Sequence, residues 1–183
     1  YSDFGFLSTY KFATRYKITR NFNIRGSVST GYRAPSLQQI NFSNTFTNVQ
    51  GGKSFDVKIA PNFSHITKAA GIPELKQEKS VNASLGFTVK PSPEFTITVD
   101  GYLVKIKNRV VLSGQFDTTN AALKPILTQL DVSQAQFFAN AVNTTNYGVD
   151  VILNYAKNWC PKNLNVLLAA NLQHMTIDKV NVP

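Results

Sequence analysis

Apolar and small polar residues alternate along most of this chain. In one segment the residues at every second position are apolar, namely Val81, Ala83, Leu85, Phe87 and Val89. Asn, Ser, Gly and Thr fill the gaps between them. A period of two places one set on each face of a β-strand. The segment therefore predicts a strand with one apolar face and one neutral, polar face.

The same alternation recurs and predicts about six long strands. They lie near residues 8–19, 22–33, 79–90, 94–112, 136–156 and 164–177. Short turns that contain Asn or Pro separate the first, third and fifth of these strands from the strand that follows. The expected fold class is therefore all-β, an antiparallel up-and-down meander.

Two long connections, residues 34–78 and 113–135, join the remaining strands. The first is rich in Asn, Ser, Thr, Gln and Gly and shows no period, which predicts one long loop with a helical turn near Ile66–Ala70. In the second, apolar residues recur at helical spacing and predict a short helix near Asn120–Leu130. Connections of this length are uncommon in compact domains unless they carry function.

The short turns all fall at one end of the meander and the long connections at the other. This arrangement, with strands much longer than the usual 5 to 6 residues, is typical of an outer-membrane barrel. Tyr147 and Tyr155 bracket an aliphatic stripe, roughly 19 Å apart along the membrane normal, which suits two aromatic girdles. Residues 1–183 are thus interpreted as part of a larger transmembrane β-barrel. The alternative is a soluble β-sandwich that presents long loops for binding or adhesion.

Composition narrows the function classes. The chain has 183 residues, 43% of them hydrophobic, which excludes a disordered chain. Its apolar runs are shorter than the roughly 18 residues of a membrane helix. The net charge is +9, but the basic residues are scattered, so no nucleic-acid partner is expected. The single cysteine, Cys160, excludes an internal disulfide and a CxxC metal site.

No catalytic site is expected, and the chain is interpreted as a non-enzyme without cofactors. Asp100 and Asp150 are predicted on the polar faces of their strands, where paired carboxylates can act as acid and base. We expect them instead to be hydrated or paired with basic residues such as Arg15 or Arg25. The two histidines lack matched ligand spacing, so no metal site is predicted, and no G-x-S-x-G motif frames a nucleophile.

Three basic residues near the first long connection are candidates for binding an anionic ligand such as a ferric siderophore. They are Arg33 at the end of the second strand, and Lys53 and Lys58 within the connection. The alternative is that they are ordinary solvated surface charges.

Four segments resemble motifs of TonB-dependent outer-membrane receptors. They are Gly31–Leu37 (GYRAPSL), Leu75–Asn82 (LKQEKSVN), Asp100–Val110 (DGYLVKIKNRV) and Asn140–Asp150 (NAVNTTNYGVD). The second departs from the family pattern, because Gln77 stands where a proline is usual. The order of the four matches the family.

The resemblance implies import of a scarce nutrient, siderophore-like or otherwise large, across the outer membrane of a Gram-negative bacterium. It also implies energy from the TonB complex and a barrel of about 22 strands with a plugged lumen. Six strands cannot close such a barrel, so the chain is expected to be a fragment of one. Its implied partners are membrane lipid, the rest of the barrel, the plug domain, TonB through that plug, and the ligand.

Overall fold

The computed structural model describes residues 6–181, which form nine strands and three short helices. In chain order the elements are β1 (Lys11–Lys17), β2 (Phe22–Arg33), α1 (Leu37–Asn41), β3 (Asn44–Gln50), β4 (Lys53–Ala60), α2 (His65–Ala69), β5 (Glu78–Ser92), β6 (Phe95–Leu112), β7 (Phe116–Asp117), α3 (Lys124–Gln129), β8 (Gln134–Trp159) and β9 (Lys162–Val180). Within residues 6–181 no helix is long or apolar enough to cross a bilayer.

Six of these strands form the antiparallel meander that the sequence predicts. The order is β1-β2-β5-β6-β8-β9, and each strand pairs antiparallel with the next. The fold class is therefore confirmed, and the open sheet fits a part of a larger barrel. β1 ends before the predicted position 19 because the amides of Ile18 and Thr19 both turn to the carbonyl of Phe22. β8 is the longest strand, with 26 residues.

The register brings the apolar residues of neighbouring strands onto one continuous face. Val99 of β6, for example, lies between Phe87 of β5 and Val151 of β8. This apolar face includes Phe12, Ile24, Val28, Leu85, Phe87, Val99, Leu103, Val149, Val151, Leu153, Leu168 and Leu172. Leu85 is 67% exposed and Leu168 is 62% exposed. Such exposure is incompatible with a second layer packed over this face, as a β-sandwich would require.

The first long connection was predicted to be one long loop with a helical turn near Ile66–Ala70. The helical turn is confirmed as α2, but the rest of the prediction was wrong, because the connection also contains α1 and the β3–β4 hairpin. Gly51 and Gly52, both with positive φ, form the two-residue turn of the hairpin, a geometry that favours glycine at both positions. Phe55, Val57 and Ile59 also alternate with polar residues along β4. These two signals were present in the sequence, but the polar composition of β3 obscured them.

A cap at the long-loop end contains the main buried core of the described residues. We define the cap as β3, β4, α2, β7, α3 and the start of β8, which pairs in parallel with β4 and antiparallel with β7. Its core includes Ala60, Ile66, Ile72, Leu123, Leu127, Ala135, Phe137, Ala139 and Ala141. The helix expected near Asn120–Leu130 is the shorter α3, whose Leu127 is fully buried. The cap thus buries its apolar side chains in a conventional core, whereas the meander exposes its apolar face.

Candidate functional site

The face of the meander opposite the apolar face, here called the polar face, carries an ion pair that spans three strands. Arg25 on β2 donates from Nε to Oδ1 of Asp100 on β6, at 2.8 Å, and a second contact joins its other nitrogen to Oδ2. Gly86 of β5 lies between them in the register. A Cβ at this position would overlap the Asp100 carboxylate and come within 2.5 Å of the Val99 carbonyl oxygen. The absence of a side chain on β5 therefore allows the two charges to meet.

A second glycine allows a similar crossing between β6 and β9. Tyr102 of β6 lies over Gly148 of β8, where an added Cβ would stand 2.6 Å from the tyrosine hydroxyl oxygen. That hydroxyl donates to Gln173 Oε1 at 3.4 Å and accepts from the Asn171 amide at 3.2 Å. Both partners belong to β9. The polar face is thus crossed by side-chain hydrogen bonds that skip one strand.

Asp100 and Asp150 are direct neighbours across β6 and β8. Asp100 pairs with Arg25, as expected, whereas Asp150 accepts from the Asn171 amide at 2.6 Å. Arg15 pairs with neither carboxylate; its Nε donates to Asn23 Oδ1 instead, at 3.2 Å. Each carboxylate therefore has its own donor. This arrangement supplies fixed charge and hydrogen-bonding groups along a wall, without a nucleophile beside a base.

A second cluster, which we call the junction, lies where the meander meets the cap. The amide of Asn140 donates to the carbonyls of Lys76, at 2.8 Å, and Asn108, at 2.7 Å. Its Oδ1 accepts from the Lys76 backbone amide at 2.7 Å. Asn108 has φ 59°, a conformation that Asn tolerates better than most residues, and its amide donates to Asn143 Oδ1 at 3.0 Å. The Asn140 side chain thus joins the segment just before β5 to an irregular position of β6.

Glu78 completes the junction from the first residue of β5. Its side chain is buried, and Oε1 accepts from the Val110 amide at 3.0 Å. Its other oxygen lies 3.7 Å from Nη1 of Arg33. The four motif segments therefore converge at one place through Arg33, Glu78, Asn108 and Asn140. The sequence motifs were identified, but their contact with one another was not predicted, although the predicted meander places all four strand ends on the long-loop side of the sheet.

The three predicted ligand-binding residues lie apart from one another. Arg33 is bound to the junction, although its side chain remains 63% exposed. Lys53 is exposed at the tip of the β3–β4 hairpin, and Lys58 is half-buried further along β4. Because the two lysines stand five positions apart on one strand, their side chains point to opposite faces. The structure therefore does not assemble them into a single pocket.

The turn between β7 and α3 changes the pKa of an aspartate in the cap. Asp117 accepts hydrogen bonds from the hydroxyl and then the backbone amide of Thr119, and these lower the pKa of its carboxyl. This turn precedes α3 and stabilises the start of the second long connection. Across residues 6–181, no three His, Cys, Asp or Glu side chains come close enough together to hold a metal ion.

Comparisons with known proteins agree with this architecture. Residues 1–181 match the family model described as "TonB dependent receptor-like, beta-barrel". The structure resembles the siderophore receptor PirA from Pseudomonas aeruginosa, with a TM-score of 0.65 and 16% identity over 97% of this chain and 29% of that one. The PirA receptor from Acinetobacter baumannii gives a TM-score of 0.53 and 15% identity over 80% of this chain and 20% of that one. No curated protein gives a significant match. The chain thus spans less than a third of the length of these receptors.

Proposed function

Because this chain belongs to the TonB-dependent receptor β-barrel family, we propose that it forms six adjacent wall strands of a receptor that imports a scarce nutrient. The receptor lies in the outer membrane of a Gram-negative bacterium and draws its energy from the TonB complex. The nutrient is a siderophore-like or other large ligand. The remaining strands close the barrel, and a plug domain fills its lumen and contacts TonB.

The single observation that supports this proposal best is the exposed apolar face. Apolar side chains line up across all six strands and remain accessible, with Leu172 on β9 78% exposed. Leaving such a face in contact with water would be unfavourable by about 25 cal/mol per Å² of apolar surface. Lipid removes that cost, and a closed barrel removes the two open sheet edges. A soluble β-sandwich accounts for neither feature.

The polar face then lines the interior of the barrel. Its Arg25–Asp100 ion pair and its Tyr102, Asn171 and Gln173 network offer charge and hydrogen-bonding groups to whatever fills the lumen. These groups bind and orient; they do not resemble a catalytic constellation. The chain therefore acts in transport, and we assign it no enzymatic step.

The cap and the long connections face the cell exterior, where a ligand first meets the receptor. Long loops on the outside and short turns on the periplasmic side are the usual arrangement of such barrels. Arg33, Lys53 and Lys58 add positive charge to this end, which favours an anionic ligand through electrostatic steering. Two structural neighbours are described as siderophore receptors, and the ferric complex of a tris-catecholate siderophore is anionic.

Uptake by cells that express the full-length receptor tests this proposal. Cells are offered radiolabelled iron bound to a panel of catecholate and hydroxamate siderophores, with TonB present or deleted. We expect at least one siderophore to bind in both strains and to enter only the strain with TonB. Binding without TonB-dependent entry for every siderophore, or entry that is unaffected by TonB deletion, would contradict the proposal.

A further inference from the structure

Three lysines form a cluster on the apolar face, near the end of the sheet that carries the long connections. Lys79 of β5 lies directly opposite Lys107 of β6, and Lys105 lies opposite Val81, one position further along the same face. Opposite residues of an antiparallel pair share a face, so all three side chains point the same way as Leu85 and Leu103. All three are exposed. This lysine cluster therefore belongs to the side of the sheet that carries the apolar residues.

The lysine cluster lies at the height of lipid headgroups. The apolar positions of β5 are centred on Leu85, and those of β6 on Val99. Lys79 stands six residues from the first centre, and Lys105 and Lys107 stand six and eight residues from the second. These separations correspond to about 14 to 19 Å along the membrane normal for strands tilted near 45°. The apolar band of such a barrel is about 25 Å tall, so its edge lies about 12 to 13 Å from the centre. The ammonium groups thus emerge just beyond the hydrocarbon.

In the described part of the chain, no ion pair neutralises this charge. Among residues 6–181 the salt bridges join Arg25 to Asp100 and Arg33 to Glu78, and none includes the three lysines. Asp178 on β9 also lies near this end of the sheet and accepts hydrogen bonds from the hydroxyls of Thr145 and Thr176. It forms no ion pair with the lysines, because β8 separates its strand from β6. Like charges placed directly opposite each other on a sheet are destabilising. A pair such as Lys79 and Lys107 therefore favours an anion that lies between them.

We propose that Lys79, Lys105 and Lys107 bind the phosphate groups of an anionic lipid in the outer leaflet of the membrane. The proposal rests on the proposed function, because it needs the apolar face to meet lipid. Charge complementarity selects the occupant: a phosphate accepts hydrogen bonds from several ammonium groups, and its acyl chains extend along the neighbouring apolar residues. The lysine stems follow the same wall and direct their charges toward the headgroups.

Lipid titration of the full-length receptor in a neutral detergent tests the inference. The probe is lipid A, a diphosphorylated glycolipid, and its dephosphorylated form is the chemical control. The test variant carries Lys79→Gln, Lys105→Gln and Lys107→Gln. Each lysine near an anionic surface strengthens binding about fivefold, so we expect this variant to bind lipid A on the order of a hundredfold more weakly. The dephosphorylated lipid should bind both proteins equally.

A matched variant removes three exposed lysines from elsewhere, through Lys68→Gln, Lys124→Gln and Lys162→Gln. We expect it to bind lipid A like the unchanged receptor. Equal affinity of the cluster variant and the unchanged receptor would overturn the inference. Binding of inorganic phosphate alone to the unchanged receptor as tightly as lipid A would also overturn it, because the site would then recognise free phosphate.

Outer-membrane fractionation separates this inference from the proposed function. We expect the cluster variant to assemble in the outer membrane and to transport normally, with only its lipid affinity reduced. An unchanged receptor that fails to reach the outer membrane would refute the proposed function instead. The melting temperature of the lipid-free protein gives a further check, since loss of the lysine repulsion should leave it equal or raise it.

Discussion

The Cα of Gly86 faces the carboxylate of Asp100 so closely that a side chain at position 86 would displace it. This gap on β5 allows Arg25 of β2 to reach Asp100 of β6. A charge pair therefore joins strands that share no backbone hydrogen bonds. The sheet is stiffened across its polar face at a position where the sequence shows only a glycine among small polar residues.

We predict that Gly86→Ala destabilises the full-length receptor by about 1 to 3 kcal/mol, the usual cost of overpacking. The added methyl group meets the Val99 carbonyl oxygen at 2.5 Å as well as the Asp100 carboxylate, so the backbone must move. Gly101→Ala is the control, because its Cβ would meet its nearest neighbour at an ordinary 3.6 Å. Urea unfolding of the receptor in lipid vesicles measures both. Equal costs for the two variants would show that the close approach at Gly86 has no energetic consequence.

The ion pair itself is best measured by a double-mutant cycle with Arg25→Gln and Asp100→Asn. The side chains are 46% and 21% exposed, so solvent screens their attraction. We expect a coupling energy of about 0.5 to 1 kcal/mol, at the upper end for exposed pairs because the contact is bidentate. Asp100→Asn alone should cost little, since it also relieves repulsion from Asp150. A coupling energy of zero would mean that the contact contributes nothing to stability.

The junction predicts a larger effect at its central residue. Asn140→Ala removes three hydrogen bonds and leaves the backbone groups of Lys76 and Asn108 without them. We expect a loss of about 2 to 4 kcal/mol, since a net hydrogen bond contributes about 0.5 to 1.5 kcal/mol. Hydrogen exchange should rise at the start of β5 and at the amides near Asn108. Asn163→Ala, at the exposed start of β9, serves as the control and should change neither quantity.

The long strands could be predicted from the sequence because alternation is a local signal. Most strands of the meander show their two faces within their own residues, as between Val81 and Val89, whereas β9 carries Leu167 and Met175 on its polar face. The β3–β4 hairpin was missed because its first strand is polar, although Gly51-Gly52 indicated a turn. The polar strand β3 pairs with β4, and β4 in turn pairs with the start of β8 in the cap. This pairing depends on residues that are distant in the sequence.

The contacts of the polar face and of the junction could not be predicted in this way. Gly86 and Gly148 matter because of side chains on neighbouring strands, and their effect depends on the exact register. The junction depends on an irregular pairing of β6 with β8 around Asn108, which the sequence alone does not reveal. The motif resemblance identified the right segments. That these segments meet at the junction becomes evident only when the positions of the four strand ends are known.

The most direct test of the account compares two adjacent leucines of β9. Leu168 belongs to the apolar face and is 62% exposed, whereas Leu167 belongs to the polar face and is 63% exposed. The two positions thus differ mainly in the medium that each face meets. The measurement is the free energy of unfolding of the full-length receptor from lipid vesicles, with Leu168→Arg or Leu167→Arg. We predict that Leu168→Arg costs about 2 to 4 kcal/mol, as for arginine near mid-bilayer, and that Leu167→Arg costs much less. Equal costs, or a larger cost at Leu167, would contradict the claim that the apolar face of this sheet meets lipid.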